Sequence, residues 1–369
     1  MSRSPMTRIT VSMNRGSLLD SARRQTYVKA VVKENQRVRT IRRNRLHAAE
    51  RRIKNGLHEY QSVDTGSRPE ICLRQAFVRL ATPRAIQVEL KERTPDDQST
   101  RLDRSRGDWT TRPPAAKLVV RRSYALSFYL SVIYLAHLES GTKGHLDNQR
   151  RYAARMDGRA SWATVTGLGG GPTTRARRAR VCRALDVLQS ARLVDLAQEN
   201  GLVSYETFRV LRDDGAEGPY TVPGQDPRSH LVLPTSFFYN GWHLVLEPRE
   251  IVMMLAIIDM TRRVGQRQAA DYPGVALPEI ERWRYYGLSG ETYGAIHELA
   301  EFGLIDIYDP MPNRRRGRIT QHVSRPMDDE TGLAPIPYRF TYDFSKFDRD
   351  AYATVASSLA TRLSPRLAP

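Results

Sequence analysis

The chain has 369 residues, with 58 Lys or Arg against 40 Asp or Glu, so its formal net charge is +18. A chain of this length supports two or three domains with cores of their own, and a hydrophobic content of 40% is ordinary for a globular protein. The charge favours a polyanionic partner, nucleic acid first, with an anionic membrane or an acidic protein as alternatives. Only seven of the basic residues are Lys, so an Arg-rich, GC-rich genome is a second source of the excess.

Cysteine usage and hydropathy narrow the class of protein. Cys72 and Cys182 show no pairing pattern, which favours a reducing cytoplasm. The longest uncharged apolar run, residues 124–138, is shorter than the ~20 residues of a spanning helix, so we predict a buried core helix and no membrane partner. The first 19 residues carry no acid and no apolar signal-peptide core, and composition leaves a transit peptide open. We expect a bacterial cytoplasmic protein associated with the nucleoid or a plasmid.

Residues 1–57 are predicted to form a basic helical arm. Residues 21–54 contain twelve Lys or Arg against two acids, Glu34 and Glu50. An imperfect helical stripe of apolar residues runs through Val31, Val38, Ile41, Ala49 and Ile53. One interpretation is an arm that lies along DNA phosphates through Arg42, Arg43 and Arg45. The alternatives are a surface helix that packs this stripe on the body, and a disordered tail.

A mixed segment and linker are predicted over residues 58–115. A strand is expected at 85–90. From residue 93 to residue 114 the composition changes to Thr, Asp, Ser, Arg and Pro, which is typical of a linker or a long loop.

One pattern then occurs twice, 111 residues apart. In the first copy, helically spaced Ala184, Leu185 and Leu188 run into a short alternating segment at residues 193–196. The second copy has the same spacing in Ala295, Ile296 and Leu299, followed by residues 304–307. Each copy therefore predicts a helix that leads directly into a strand.

Two further helices are predicted before each copy and a second strand after it. In residues 116–230, the first unit, the helices are 124–139, 161–166 and 173–190, and the strands 193–196 and 203–211 are joined through 197–202. Residues 212–229 are a Gly- and Pro-containing connector. In residues 231–345, the second unit, the helices are 247–263, 278–286 and 289–302, and the strands are 304–308 and 338–344. A terminal helix is expected at 347–363, in a tail of residues 346–369.

Three helices followed by a β-hairpin is the element order of a winged helix, a module most often used to bind duplex DNA. The predicted fold class is therefore mostly α with small β-hairpins (α+β), as tandem winged helix-turn-helix domains behind a basic N-terminal helical region.

The third helix of a winged helix usually enters the major groove. In the first unit, Val181, Ala184, Leu185 and Leu188 define its buried side at 100° per residue. The outward face then holds Arg175, Ala176, Ala179, Cys182 and Arg183, with Arg180 at the edge and Arg177 and Arg178 beside the core. Thr173 and Thr174 follow a glycine run at the helix start, where backbone donors favour a phosphate. We predict that this helix contacts DNA bases.

The third helix of the second unit has the opposite charge. Its predicted outward positions are Glu291, Gly294, His297, Glu298 and Glu301, and carboxylates oppose docking on phosphates. Basic residues occur instead in the second helix, at Arg282 and Arg284, and in the predicted wing tip, at Arg314, Arg315, Arg316 and Arg318. We predict that this unit contacts DNA through its wing and second helix, or else serves as a homodimerisation or partner domain.

No catalytic chemistry is predicted. The glycine run at residues 167–171 lacks the Walker Lys and a preceding strand, and the eight His show no zinc spacing. Tyr285 and Tyr286 lack the metal-binding His pair of a nicking enzyme and are expected to pack in the core or against a backbone, while Asp213 and Asp214 are expected in a solvated loop. We predict no enzyme, no metal, no cofactor and no small-molecule ligand.

With these units placed, the chain resembles the tandem winged-helix replication initiators of plasmids and phages over roughly residues 120–345. The resemblance rests on element order, on Leu233-Pro234 and Phe237-Phe238 leading into the helix at Glu247, and on the segment from Tyr286 to Ser289. It implies that one unit binds DNA strongly while the other also mediates dimerisation. The long basic N-terminal region departs from the family pattern.

Two functions remain open from the sequence. The first is a sequence-specific double-stranded DNA-binding protein, either a replication initiator or a transcriptional regulator. The second is a structural or assembly protein that coats nucleic acid without recognising its sequence.

Overall fold

The computed structural model describes residues 21–64, 66, 70–84, 111–120, 124–139, 150, 160–169, 173–223, 229–264, 273–310 and 337–361. These residues form mostly helices, with three small antiparallel sheets of two, two and three strands. The predicted class, mostly α with small β-hairpins, is confirmed at this level. The predicted strand at 85–90 lies outside the described residues.

The first element, α1 (Ser21–Val63), is a single helix of 43 residues. It contains no proline and only one glycine, so nothing in its interior breaks the hydrogen-bond ladder. Its buried apolar residues are spaced three or four apart, at Leu46, Ala49, Ile53, Gly56 and Tyr60. The helix therefore packs on the body through its second half.

The apolar stripe predicted for this helix is only partly right. Ala49 and Ile53 are buried, but Val38 is 51% exposed and Ile41 is 37% exposed. The side chain of Val31 lies outside the described part of the structure. The buried face is rotated relative to the prediction because it meets elements that are distant in the sequence.

The part of the chain after α1 contributes β1 (Glu70–Arg74) and α2 (Gln75–Val78), which lie in the predicted mixed segment, and α3 (Pro114–Val120), which begins where the predicted linker over residues 93–114 ends. β1 pairs antiparallel with β4 (His230–Pro234), with Cys72 opposite Val232. The boundaries predicted at residues 57/58, 115/116 and 230/231 thus fall inside α1, α3 and β4.

The first unit has the predicted elements with boundaries close to those expected. They are α4 (Ala125–Glu139), α5 (Trp162–Val165), α6 (Thr174–Ser190), β2 (Val194–Glu199) and β3 (Leu202–Val210). The connection between the strands is a two-residue turn, Asn200-Gly201, in which both residues have positive φ. This turn is tighter than the predicted loop over 197–202. A bulge between Leu196 and Ala197 interrupts the ladder.

The second unit has the predicted helices and hairpin together with two short helices before them and an additional strand. It contains α7 (Thr235–Tyr239), α8 (Trp242–Val245), α9 (Pro248–Val264), β5 (Val275–Ala276), α10 (Glu279–Arg284), α11 (Gly290–Tyr293), α12 (Ile296–Glu301), β6 (Ile305–Tyr308) and β7 (Arg339–Tyr342). The predicted third helix is divided at Gly294 and Ala295 into α11 and α12. β7 lies between β5 and β6 in one sheet, so the hairpin is anchored to the segment before α10.

The chain ends in a 3-10 helix (Phe344–Asp348) and α13 (Ala351–Ala360), which confirms the predicted terminal helix. The boundary predicted at 345/346 falls inside the 3-10 helix. α13 packs beside α1, where the Tyr352 hydroxyl donates to Glu50 at 2.7 Å. The first and last helices of the described chain are therefore neighbours.

A buried polar contact joins α1 to both units. The Tyr60 hydroxyl donates to Ser131 of α4 at 2.9 Å, contacts the Val165 carbonyl of α5, and lies 3.1 Å from Nε2 of His243 in α8. One turn earlier, a Cβ on Gly56 would lie 2.9 Å from the Thr164 carbonyl oxygen, so α1 can approach α5 this closely only with glycine there. α1 is thus an integral part of the fold.

Candidate nucleic-acid interface

The helix α6 is the centre of the candidate site. Its predicted inner face is confirmed, since Val181, Ala184, Leu185 and Leu188 are all buried. Five of its 17 residues are arginine and one, Asp186, is acidic. The packing of the inner face therefore fixes which way the arginines point.

The outer face of α6 combines exposed arginines with small side chains. Arg175, Arg178 and Arg183 are exposed, whereas Arg177 and Arg180 are half-buried. The prediction placed Arg178 beside the core; it lies further out. Between the arginines the helix carries Ala176, Ala179 and Cys182, which leave room for a close approach. Among the described residues, no carboxylate forms an ion pair with Arg175 or Arg183.

The start of α6 is organised by its two threonines. The Thr173 hydroxyl caps the helix by accepting from the Ala176 amide at 3.2 Å. The Thr174 hydroxyl accepts from Nη2 of Arg177 at 3.2 Å. Both threonines, predicted as DNA contacts, are exposed and also have these local structural roles.

The single acid of α6 has a local partner. Asp186 accepts a hydrogen bond from the Tyr205 hydroxyl of β3 at 2.7 Å. This bond raises the pKa of Tyr205 to about 12, with a smaller contribution from burial. The contact fixes the hairpin on the end of α6 that lies away from Arg175.

An arginine of α1 extends the basic surface beside α6. Burial lowers the pKa of Arg52, and the nearby positive charge of Arg180 lowers it further, while the Tyr124 hydroxyl bonds the Arg52 side chain. Arg45 is exposed and lies seven residues earlier, two turns along the same side of α1. Arg52 was not among the predicted site residues, because its proximity to α6 depends on how α1 docks.

The hairpin of the first unit is not basic. Arg209 of β3 forms an ion pair with Asp195 of β2 at 2.8 Å. Its tip carries Leu202, which is 75% exposed, and Val203, which is 43% exposed. The hairpin therefore adds little positive charge to the basic surface formed by α6 and α1.

The acidic face of the third helix in the second unit is largely covered by arginines. Glu301 pairs with Arg39 of α1, whose guanidinium also donates to the Ser358 carbonyl of α13. Glu298 pairs with Arg249 of α9 at 2.9 Å. Glu291 and His297 remain exposed. The prediction that all these side chains face outward is therefore wrong for Glu298 and Glu301, because α1 and α9 pack against them.

A second ionic contact holds α1 on α9 and corrects the role predicted for Arg42. Arg42 pairs with the fully buried Glu250 at 2.5 Å and lies 3.7 Å from Glu247. Burial alone would lower the pKa of Arg42, but these carboxylates raise it above its ordinary value. Arg42 thus lies inside the protein, whereas Arg43 is half-buried and Arg45 is exposed.

The arginines predicted in the second helix of the second unit are also engaged. Arg282 is only 6% exposed and lies 4.2 Å above the Tyr293 ring. Arg284 donates from Nε to the Arg84 carbonyl at 3.2 Å. Arg282 is therefore withdrawn from the surface by its stacking. The predicted wing tip, Arg314, Arg315, Arg316 and Arg318, lies outside the described residues.

The predictions for Tyr286 and Asp213 have different outcomes. Tyr286 packs in the core as predicted, and its hydroxyl donates to Asp259 at 2.8 Å. Asp213 is fully buried and accepts from the Arg74 amide at 2.7 Å and its guanidinium at 2.6 Å, so the predicted solvated loop is wrong there. A short polar sequence next to a strand gave no signal of this distant partner.

In the part of the chain that the structure describes, no three His, Cys, Asp or Glu residues are grouped to hold a metal ion. None of the described helices combines the length and the apolar character needed to cross a bilayer. Comparison with protein-family models, with curated proteins and with solved structures gives no match for this chain.

Proposed function

We propose that this chain is a sequence-specific duplex-DNA-binding protein with two winged-helix units, in which α6 of the first unit enters the major groove. The observation that carries the proposal is the outer face of α6, where exposed Arg175 and Arg183 flank small side chains. The element order supports the winged-helix assignment: α4, α5 and α6 precede the β2–β3 hairpin in the first unit, and α9, α10 and the divided helix α11–α12 precede the β6–β7 hairpin in the second.

The shape and charge of α6 suit a groove. The major groove is about 12 Å wide and admits an α-helix, and arginine is the commonest partner of a guanine edge. Small residues at 176, 179 and 182 let the backbone of α6 approach base edges, while the flanking arginines reach bases or phosphates. A solvated surface helix has no comparable need for small residues in the middle of an arginine-rich face.

The neighbouring part of α1 supports the same proposal. Arg45 and Arg52 continue the basic surface from α6, so a duplex on α6 has phosphate partners on a second helix. These contacts raise affinity without selecting a sequence, whereas α6 carries the selection.

The direct test is selection from random duplex DNA on the purified full chain at about 0.15 M salt, followed by sequencing of the retained duplexes. The proposal expects an enriched motif. Firm retention without a motif supports the coating function instead, and no retention contradicts DNA binding. Repeated motifs beside the chain's own gene indicate a replication initiator, while a single palindrome over a promoter indicates a transcriptional regulator.

Variants then test the assigned helix. Arg175→Ala with Arg183→Ala should weaken binding to the selected motif by about 1–3 kcal/mol for each lost base contact. Arg209→Ala with Arg37→Ala is the matched control, because it removes the same two charges from exposed arginines that are paired with Asp195 and Glu34. Equal affinity of the double variant and the wild type would rule out α6 as the recognition helix.

A further inference from the structure

A cluster of arginines surrounds two aromatic rings at the end of α10, in the second unit. The guanidinium carbons of Arg84 and Arg112 lie 4.7 Å and 5.3 Å from the centre of the Trp283 ring. The guanidinium of Arg79 lies 4.2 Å from the ring of Tyr285. With Arg284 between the two aromatic residues, four positive charges meet at one place.

Backbone hydrogen bonds hold this cluster in a fixed arrangement. The Leu80 amide donates to the Tyr285 carbonyl at 2.9 Å, and the Arg84 amide donates to the Arg284 carbonyl at 3.0 Å. Nε of Arg84 donates to the Thr111 hydroxyl at 3.0 Å. The stem of Arg112 packs on Gly287, where a Cβ would lie 3.1 Å from its Cγ. The guanidinium groups are therefore positioned before any ligand arrives.

Two arginines of this cluster, Arg79 and Arg112, differ from the arginines that form ion pairs elsewhere in the described structure. Arg39, Arg42 and Arg249 each pair with a carboxylate. Among the described residues, no carboxylate pairs with Arg79 or Arg112, and the Nε atom of each is buried without a hydrogen-bond partner.

The arrangement of the cluster destabilises the charged form of Arg112. Burial lowers the pKa of Arg112, and the positive charge of Arg84 on the same indole lowers it further. Two guanidinium groups that stack on one ring repel each other, and cation–π attraction offsets only part of this. An anion at the cluster relieves this repulsion.

We propose that Arg79, Arg84, Arg112 and Arg284 form a phosphate site, with a backbone phosphate of bound DNA as its ligand. Several guanidinium groups in fixed positions match the oxygens of a phosphate, which accept paired N–H donors. The choice of DNA as the source rests on the proposed function. The site gives the second unit a DNA contact that does not depend on the acidic face of α12.

Trp283 provides a direct readout. The full chain, with 15N-labelled indoles, gives one N–H signal for each of its four tryptophans, and Trp283→Phe identifies the signal of Trp283. Titration with a duplex that carries the selected motif and long flanks should shift this signal. Titration with pyrophosphate tests a free phosphate compound as the alternative source.

A charge-removing variant provides the binding measurement. Arg112→Met keeps the stem on Gly287 and removes the guanidinium, so affinity for the long duplex should fall about tenfold. The slope of log affinity against log salt should become shallower by about one. Arg37→Met removes the same charge from an exposed arginine paired with Glu34 and should leave both quantities unchanged. Arg84→Met is a second variant if Arg112→Met lowers the melting temperature.

The outcomes separate this proposal from the proposed function. A Trp283 shift with the long duplex and a weaker, less salt-dependent Arg112→Met complex support the site. A shift with pyrophosphate alone overturns DNA as the source. No shift with either ligand, while the α6 double variant loses binding, overturns the site and leaves the proposed function intact. A shift with pyrophosphate and an α6 variant that binds DNA like wild type supports a phosphate site and overturns the role of α6.

Discussion

The third helices of the two units occupy equivalent places in the same order of elements but have opposite surroundings. α6 presents exposed Arg175 and Arg183 to solvent. In α12, Glu298 and Glu301 are covered by Arg249 and Arg39. The difference shows that the elements packed against a helix decide which of its charged side chains stay exposed.

α1 is the element that creates this difference. Its arginines at 39 and 42 meet carboxylates of the second unit, whereas Arg52 lies beside Arg180 of the first. One basic helix therefore neutralises an acidic face in one unit and enlarges a basic face in the other. Arg39 and Arg42 thus have one role and Arg52 another.

The largest expected effect comes from the ionic attachment of α1 to the second unit. Glu250→Gln leaves Arg42 buried without its closest carboxylate, and breaking a buried pair costs about 3–5 kcal/mol of unfolding free energy. Urea denaturation of the full chain measures this loss. Glu34→Gln, which breaks the exposed pair with Arg37, is the control and should leave the midpoint unchanged. Equal midpoints for the two variants would mean that the acids of the second unit do not hold α1.

The contact between Tyr60 of α1 and His243 of α8 should make the unfolding free energy depend on pH. Burial lowers the pKa of His243 to about 3, from an ordinary value near 6.5. Below pH 6.5 the unfolded chain takes up a proton that the folded chain excludes. The stabilisation from keeping His243 neutral is therefore complete above pH 6.5. Below that pH it is lost by about 1.4 kcal/mol for each pH unit.

Between pH 6.5 and pH 5 the unfolding free energy should therefore fall by about 2 kcal/mol through His243. His243→Gln removes the titrating group, and its denaturation curves should show a smaller decrease over the same range. His47, exposed beside Tyr352, provides the matched control as His47→Gln. The assignment fails if wild type and His243→Gln lose the same free energy.

A smaller effect tests the N-terminal cap that the third helices of the two units share. Thr173 caps α6 and Ser289 caps α11, each by accepting from an amide three residues later. Thr173→Ala and Ser289→Ala should each cost about 1 kcal/mol of unfolding free energy. Thr174→Ala, whose hydroxyl caps no amide, should cost less. Thermal melts in which only one of these two variants loses stability would show that the two caps do not contribute equally.

The smallest expected effect concerns DNA itself. Glu291→Ala with His297→Ala alters the exposed remainder of the α11–α12 face. Because this face is not proposed to dock on DNA, affinity for the selected motif should change by less than about threefold. A tenfold gain in affinity would show that the acidic face meets phosphates and would remove the distinction between the two helices.

Local periodicity was sufficient to predict much of the fold. The buried face of α6, the terminal helix and the hairpin strands follow from apolar spacing and capping residues. The Asn200-Gly201 turn was also signalled by its sequence, since Asn-Gly between strands favours a two-residue hairpin, and the prediction overlooked it.

Long-range pairing is what the sequence did not predict. Arg74 pairs with Asp213, 139 residues later in the chain, and β1 pairs with β4 at a similar sequence separation. The same holds for the site: the arginines of α6 were identified from one helix, but Arg52 and the cluster at Trp283 depend on how separate segments dock. Such contacts leave no periodic trace in a single sequence.

The docking of α1 against α13 also sets an order of events during synthesis. Arg39 bonds Glu301 across 262 residues and Ser358 across 319. At roughly 5–20 residues per second, a ribosome completes these partners on the order of 15–60 seconds after α1. Until then the side of α1 that carries Arg39 and Glu50 lacks its partners in α13. A chain that stops before residue 351 therefore leaves this side of α1 without those contacts.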